Sequence, residues 1–240
     1  MEGCHVAINS RNQEKLDQAA EMLAGVEGIH PAGRRVVAFA GDVSEPNIPQ
    51  ELVEKTVGAL GGLDLLVTNA GGPPPGKFEA IDDDTWSKAI DLSLMSHVRL
   101  IRAALPALRQ SEVASVLAVT SYSVKQPIPN LLLSNSVRAA TVGLIKTLAL
   151  ELGAEGIRFN SILPAWTETE RVYELMSNRA KANGITVDQV IALQARDSAI
   201  GRMCTPEEFA NPAVFLLSPA ASYITGVMLS VDGGLYKGTL

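Results

Sequence analysis

Cysteine is scarce in this chain: Cys4 and Cys204 are the only two among 240 residues, far apart and in no metal-like spacing. That excludes a disulfide framework and predicts buried, reduced thiols in a cytoplasmic setting. Histidine is nearly as rare, and His5, His30 and His97 share no ligand spacing with one another or with the cysteines. No metal site is expected. Runs of Lys or Arg are missing and the formal charge is −6, so neither nucleic acid nor an anionic membrane is an expected partner. Long apolar runs are missing as well. Lys146 interrupts the stretch 140–150, and Arg99 and Arg102 interrupt the one before Pro106, so nothing reaches the roughly 20 residues of a membrane-spanning helix. The opening Met1-Glu2-Gly3-Cys4-His5 has neither the basic flank nor the apolar centre of an export signal.

What is present is ample apolar material: 47% hydrophobic residues against 19% charged. That is enough for one core with a sheet covered on both faces, and it predicts a single α/β domain over residues 1–240. Short β-branched runs at 5–8, 36–40, 63–68, 115–120, 158–163 and 227–231 alternate with helical patterns at 13–23, 49–60, 85–110, 135–152 and 206–217. Such alternation is the mark of a parallel, doubly wound sheet with crossover helices. Thr205, Pro206 and Glu208 form a capping box at the start of the last helix. A polar helical excursion at about 168–199 breaks the alternation before the sixth strand, and its length suits a lid over a site.

The candidate chemistry lies at strand ends. Leu65 to Thr68 runs into an Asn69-Ala70-Gly71-Gly72 turn, where the glycines allow close approach of a ligand. Asp42-Val43 follows the preceding strand, and Asn9-Ser10-Arg11-Asn12 follows the first. Ser121 ends the fourth strand. Ser134 and Arg138 stand one turn apart on the next helix and share a face. On that helix Val137, Thr141, Leu144, Leu148 and Leu152 predict one buried stripe.

Asp42-Val43, Asn69-Ala70-Gly71, Ser121 and the turn from Pro164 to Thr169 come in an order that resembles the short-chain dehydrogenase/reductase family, 3-oxoacyl-carrier-protein reductases included. The resemblance implies a Rossmann-like fold and an oxidoreductase that uses NADP(H) to reduce a ketone such as a 3-oxoacyl thioester. Small carbonyl or alcohol substrates and a homo-oligomer, tetramer or dimer, come with it. It places Asp42 and Val43 at the adenine, Asn69, Ala70 and Gly71 along the cofactor, and Pro164, Thr167 and Thr169 at the carboxamide. Ser10 and Arg11, offering donors and a positive charge where an acid would select NAD(H), favour NADP(H).

The same resemblance exposes three departures. Ser134 stands where the family's proton-donating Tyr belongs, Arg138 where its Lys belongs, and Asp91 where an Asn organises a water relay. Ser134 lacks a phenol's reach and acidity. Arg138 can keep a charge and donors for a ribose but cannot shuttle a proton. Asp91 accepts only. Tyr122 and Lys125, close behind Ser121, are the substitute groups to test, beside an ordered water or an interior role for Tyr122.

The family's first strand, glycine-rich turn and following helix have no counterpart ahead of Val6. Their absence predicts a sheet with unpaired strand edges, or one that closes up irregularly, and a missing pyrophosphate cradle. An upstream start of the natural protein is the expected explanation. A non-catalytic binding member of the same fold, or a shortened inactive form, is the alternative function.

Overall fold

The computed structural model describes residues 3–26 and 35–239, and His30 lies outside them. Among these, six strands alternate with eight α-helices: β1 (Val6–Ser10), α1 (Gln13–Ala24), β2 (Val36–Ala40), α2 (Ile48–Leu60), β3 (Leu65–Thr68), α3 (Asp83–Ile90), α4 (Ser96–Leu108), β4 (Ser115–Val119), α5 (Leu132–Leu152), β5 (Arg158–Pro164), α6 (Glu170–Asn183), α7 (Val187–Asp197), α8 (Pro206–Leu217) and β6 (Met228–Val231). Every strand pairing is parallel. The strands form two separate sheets, β1-β2 and β3-β4-β5-β6.

Among the described residues no ladder joins β1 to β3, so the strands stay in two sheets and do not close up into one. Val67 in β3 is left half exposed, as expected of a strand whose outer edge carries no neighbour. Helix α2 ties the halves together: it contacts β2, and its Val53 joins Ile101, Ala104 and Leu108 of α4 with Val116 and Phe159 in the main core. Parallel strands buried on both faces read as continuous apolar runs, which is why β4 is legible in the sequence.

Three expectations need correction. The helix expected over 85–110 is interrupted, because a π turn, Asp91–Met95, separates α3 from α4; such one-residue insertions are invisible to a 3.6-residue period and frequent at functional sites. The stripe on α5 is rotated: Leu133, Val137, Thr141, Ile145 and Ala149 are fully buried, whereas Leu144, Leu148 and Leu152 are half-buried flanks. The thiols are not interior, since Cys4 is exposed and Cys204 half-buried.

The capping box at α8 forms as the sequence dictates, with Thr205 Oγ1 accepting from Glu208 N and the Glu208 carboxylate accepting from Thr205 N. The other end of α8 has no basic residue in its last turn. Arg158 at the start of β5 supplies the cap instead: its guanidinium donates to the carbonyls of Leu216 (2.6 Å), Leu217 (2.9 Å), Ser218 (3.1 Å) and Ala221 (3.2 Å). Orphan carbonyls at a helix end need such donors. Replacing Arg158 with Met should therefore lower stability by about 2–3 kcal/mol, from hydrogen bonds of a charged donor left unmade. Urea unfolding monitored by circular dichroism reads this directly.

Candidate active site

The candidate residues gather at the C-terminal ends of β3, β4 and β5, on the side where open α/β sheets bind ligands. The β3–β4 ladder ends with Thr68 opposite Ala118. Beyond it the chains part into the Asn69-Ala70-Gly71 turn on one side and Val119-Thr120-Ser121 on the other. Into this fork α5 sends Arg138, which is buried. Its Nη1 donates to Val119 O (3.3 Å) and Thr120 O (3.0 Å), and its Nη2 to Ala70 O (3.1 Å) and Gly71 O (3.4 Å). Burial lowers its pKa to about 10, so it remains a cation at neutral pH. Ser134 lies in the first turn of α5, half-buried.

Ser121 has an extended backbone and caps the short 3₁₀ turn Tyr122–Val124, its Oγ accepting from Ser123 N at 3.1 Å. That bond uses a lone pair and leaves the hydroxyl proton for another partner. Tyr122 points into a second apolar cluster with Trp166, Met176, Ala180 and Val190, packed edge-to-face on Trp166 at 6.3 Å. Burial pushes its phenol pKa up, so it keeps its proton at neutral pH. Lys125 lies over the Tyr236 ring, 5.5 Å from its centroid.

Asp91 opens the π turn and is bound by Arg99, whose Nη2 lies 2.7 Å from its carboxylate while Nη1 donates to Ser44 O at 2.9 Å. Arg99 thus couples the π turn to the segment after β2. There Asp42 accepts from Ser44 N (3.0 Å) and Ser44 Oγ (2.7 Å), with Arg11 Nη1 3.6 Å away. Burial raises the Asp42 pKa, but the Ser44 and Arg11 contacts outweigh it and hold the carboxyl below its ordinary range. Val43 is half-buried beside it. Arg11 is largely exposed, and Ser10 Oγ accepts from Asn12 N at 3.4 Å.

On the far side, Pro164 ends β5, and Ala165 after it has no positive φ. Thr167 is buried and bridges to Cys204, and Thr169 is the N-cap of α6. Helices α6 and α7 of the excursion bury Met176, Ala180 and Val190 against Tyr122 and Trp166. The excursion's end is docked by the Gly233-Gly234 turn, where Ser198 Oγ donates to Gly233 O at 2.9 Å and both glycines have positive φ. A Cβ on Gly234 would lie 2.9 Å from Ala199 Cβ. The Gly233-Gly234 turn thus makes a contact within the chain.

The site is suited to a nicotinamide dinucleotide at its two ends. Thr120 Oγ1 is buried without a hydrogen-bond partner at the end of β4, and an unpaired buried hydroxyl of this kind is open to a ligand or water. The diphosphate between the ends has no glycine-rich turn to meet it among the described residues. No group of three or more His, Cys, Asp or Glu side chains that could hold a metal is found among them either, nor a helix long and apolar enough to cross a membrane.

Two residues of the site escape a reading of the sequence. His97 of α4 is buried, with Nδ1 2.7 Å from Thr68 Oγ1, and Arg99 makes the link described above. Each belongs to a helical apolar pattern and carries no motif.

A parallel sheet with polar groups gathered at its C-terminal edges defines a Rossmann-like fold of the dinucleotide-binding kind. Residues 1–236 match the family described as enoyl-(acyl carrier protein) reductase. The chain belongs to the short-chain dehydrogenase/reductase family. It is 32% identical over 240 residues to an oxidoreductase of Bacillus subtilis, spanning 98% of this chain and 88% of that one. Among solved structures it is similar to L-sorbose reductase from Gluconobacter frateurii in complex with NADPH and L-sorbose (32% identity, TM-score 0.91, 99% and 89% covered). It is also similar to an NADPH-bound short-chain oxidoreductase from Pseudomonas aeruginosa PAO1 described as containing an atypical catalytic centre (30% identity, TM-score 0.86, 98% and 88% covered).

Proposed function

We propose that the protein is an NADP(H)-dependent oxidoreductase that reduces a ketone, such as a 3-oxoacyl thioester, to an alcohol. The observation that carries this reading is the meeting of Asn69-Ala70-Gly71 and Thr120-Ser121 at one fork, with the unpaired Thr120 hydroxyl beside it. NADP(H) is favoured because Ser10 and the exposed Arg11 end β1 and because similar reductases were solved with NADPH.

When bound, the cofactor supplies the hydride. Ser121 orients the substrate oxygen with its unused hydroxyl proton. Tyr122, whose phenol keeps its proton while its ring packs on Trp166, is the side-chain acid we assign; water is the alternative donor. Asp91, held by Arg99, keeps the π turn in register, and Ser134 is a bystander. The excursion from 168 to 199 acts as the lid. The exposed face of α5, with Ala139, Ala140, Gly143 and Leu150, supports a homo-oligomer, which sedimentation velocity reads.

Following NADPH absorbance with a panel of ketones, Tyr122→Phe should reduce kcat by roughly 10²-fold or more, whereas Ser134→Ala should change it by less than about threefold. Equal rates for Tyr122→Phe and the parent would move the proton to water. A second reading, a member that binds nucleotide without turnover, is favoured by the pairing of Asp91 with Arg99 and of the Arg138 terminal nitrogens with backbone carbonyls. Tight NADPH binding with no oxidation across the panel would establish it.

A further inference from the structure

We propose that Arg138 is a positioning residue that clamps the C-terminal ends of β3 and β4 together, and not a ligand of the cofactor ribose or a partner in proton transfer. The inference rests on the cleft proposed above, but its geometry stands alone. Past Thr68 and Ala118 the ladder between the two strands is finished, and the carbonyls of Ala70, Gly71, Val119 and Thr120 turn toward one another across the opening. A buried carbonyl without a donor is costly. The guanidinium meets all four, two on each nitrogen, from 3.0 to 3.4 Å.

The chemistry of the side chain makes the role specific. A planar guanidinium carries five N–H donors in a fixed fork, so its two terminal nitrogens can face two divergent chains at once. All four terminal N–H groups have a backbone carbonyl within reach, and only Nε–H is left to meet any ribose. No carboxylate is paired with Arg138 among the described residues; its neighbours are carbonyl dipoles and the neutral ring of His97. An ammonium in the same place has three donors radiating from one atom and cannot span the fork. Lysine, the family's residue, is therefore the wrong side chain here.

Two variants decide the matter, Arg138→Lys and Arg138→Met, read by hydrogen exchange of the protein without cofactor and by NADPH fluorescence titration. In both, peptides covering residues 65–72 and 115–124 should exchange at least tenfold faster, while those covering α8 stay within twofold. NADPH should bind at least tenfold more weakly, with no rescue by Lys. Parent-like exchange in Arg138→Lys, or tighter NADPH binding by it, would overturn the clamp, as would an even acceleration across the whole chain. Should Arg138→Met fail to fold, Arg138→Lys alone gives the same decision. The exchange result stands even for a protein that binds no NADPH, a finding that would sink the proposed function and leave the clamp intact.

Discussion

Joining a strand, a glycine-rich turn and a helix from a related reductase ahead of β1 is expected to raise the affinity of this 240-residue chain for NADPH by about 100-fold or more. The two sheets stand apart at β1 and β3, and a parallel strand needs roughly 4.8 Å on either side. The added turn would bring backbone N–H groups and a helix N-terminus to the diphosphate. Two hydrogen bonds to a charged acceptor, at about 1.5–3 kcal/mol each, give about 3–6 kcal/mol, or 10² to 10⁴ in Kd. Fluorescence titration of the chimera against the parent measures the change. Equal affinities would mean that the chain holds the diphosphate by other groups, with Arg171, whose Nη2 lies 3.8 Å from a Cβ built on Gly72, as the first to replace.

The second large effect is on stability in acid. Burial, with a smaller contribution from the Arg138 charge, pushes the His97 pKa down to about 3, against about 6.5 in an unfolded chain. Between those values the unfolded state holds a proton that the native state refuses, so stability rises with pH across the window. The contribution is fully present above about pH 6.5 and is lost as pH falls toward 3. At about 1.4 kcal/mol per pH unit, the loss approaches roughly 4 kcal/mol. Unfolding free energies of the parent and of His97→Gln, measured by urea from pH 7 to pH 4, should differ in slope by about one proton. Parallel slopes, or a His97 ring seen by NMR to titrate near pH 6, would refute the assignment.

Much of the architecture can be read from residues. The branched run Ser115 to Val119 is a buried parallel strand, because nothing else absorbs so many consecutive apolar side chains between turn residues. Thr205 and Glu208 announce the start of α8, and Asn69-Ala70-Gly71 marks the turn that follows β3. What the residues hide is settled by partners distant in sequence. The π turn at Asp91 depends on packing, not on period. Arg138 reads as a charge left over from a catalytic pair, and its meaning changes once four carbonyls, some of them 68 residues away, surround it. Arg158 likewise carries no local signal, although it caps a helix about 60 residues on. His97, of no interest as a metal ligand, is a neutral hydrogen-bonding partner in the core. Tyr122 follows Ser121 in sequence, yet its ring is held by Trp166, and only the fold shows that neighbour.

The cleft at the ends of β3, β4 and β5 as the seat of the nicotinamide is the claim on which the functional reading turns. The most direct measurement is hydrogen exchange with and without saturating NADPH, on the parent chain and on the chimera. Protection confined to residues 9–12, 41–44, 69–72, 119–124 and 164–169 is the predicted footprint. Protection elsewhere, or none in either protein, would contradict it.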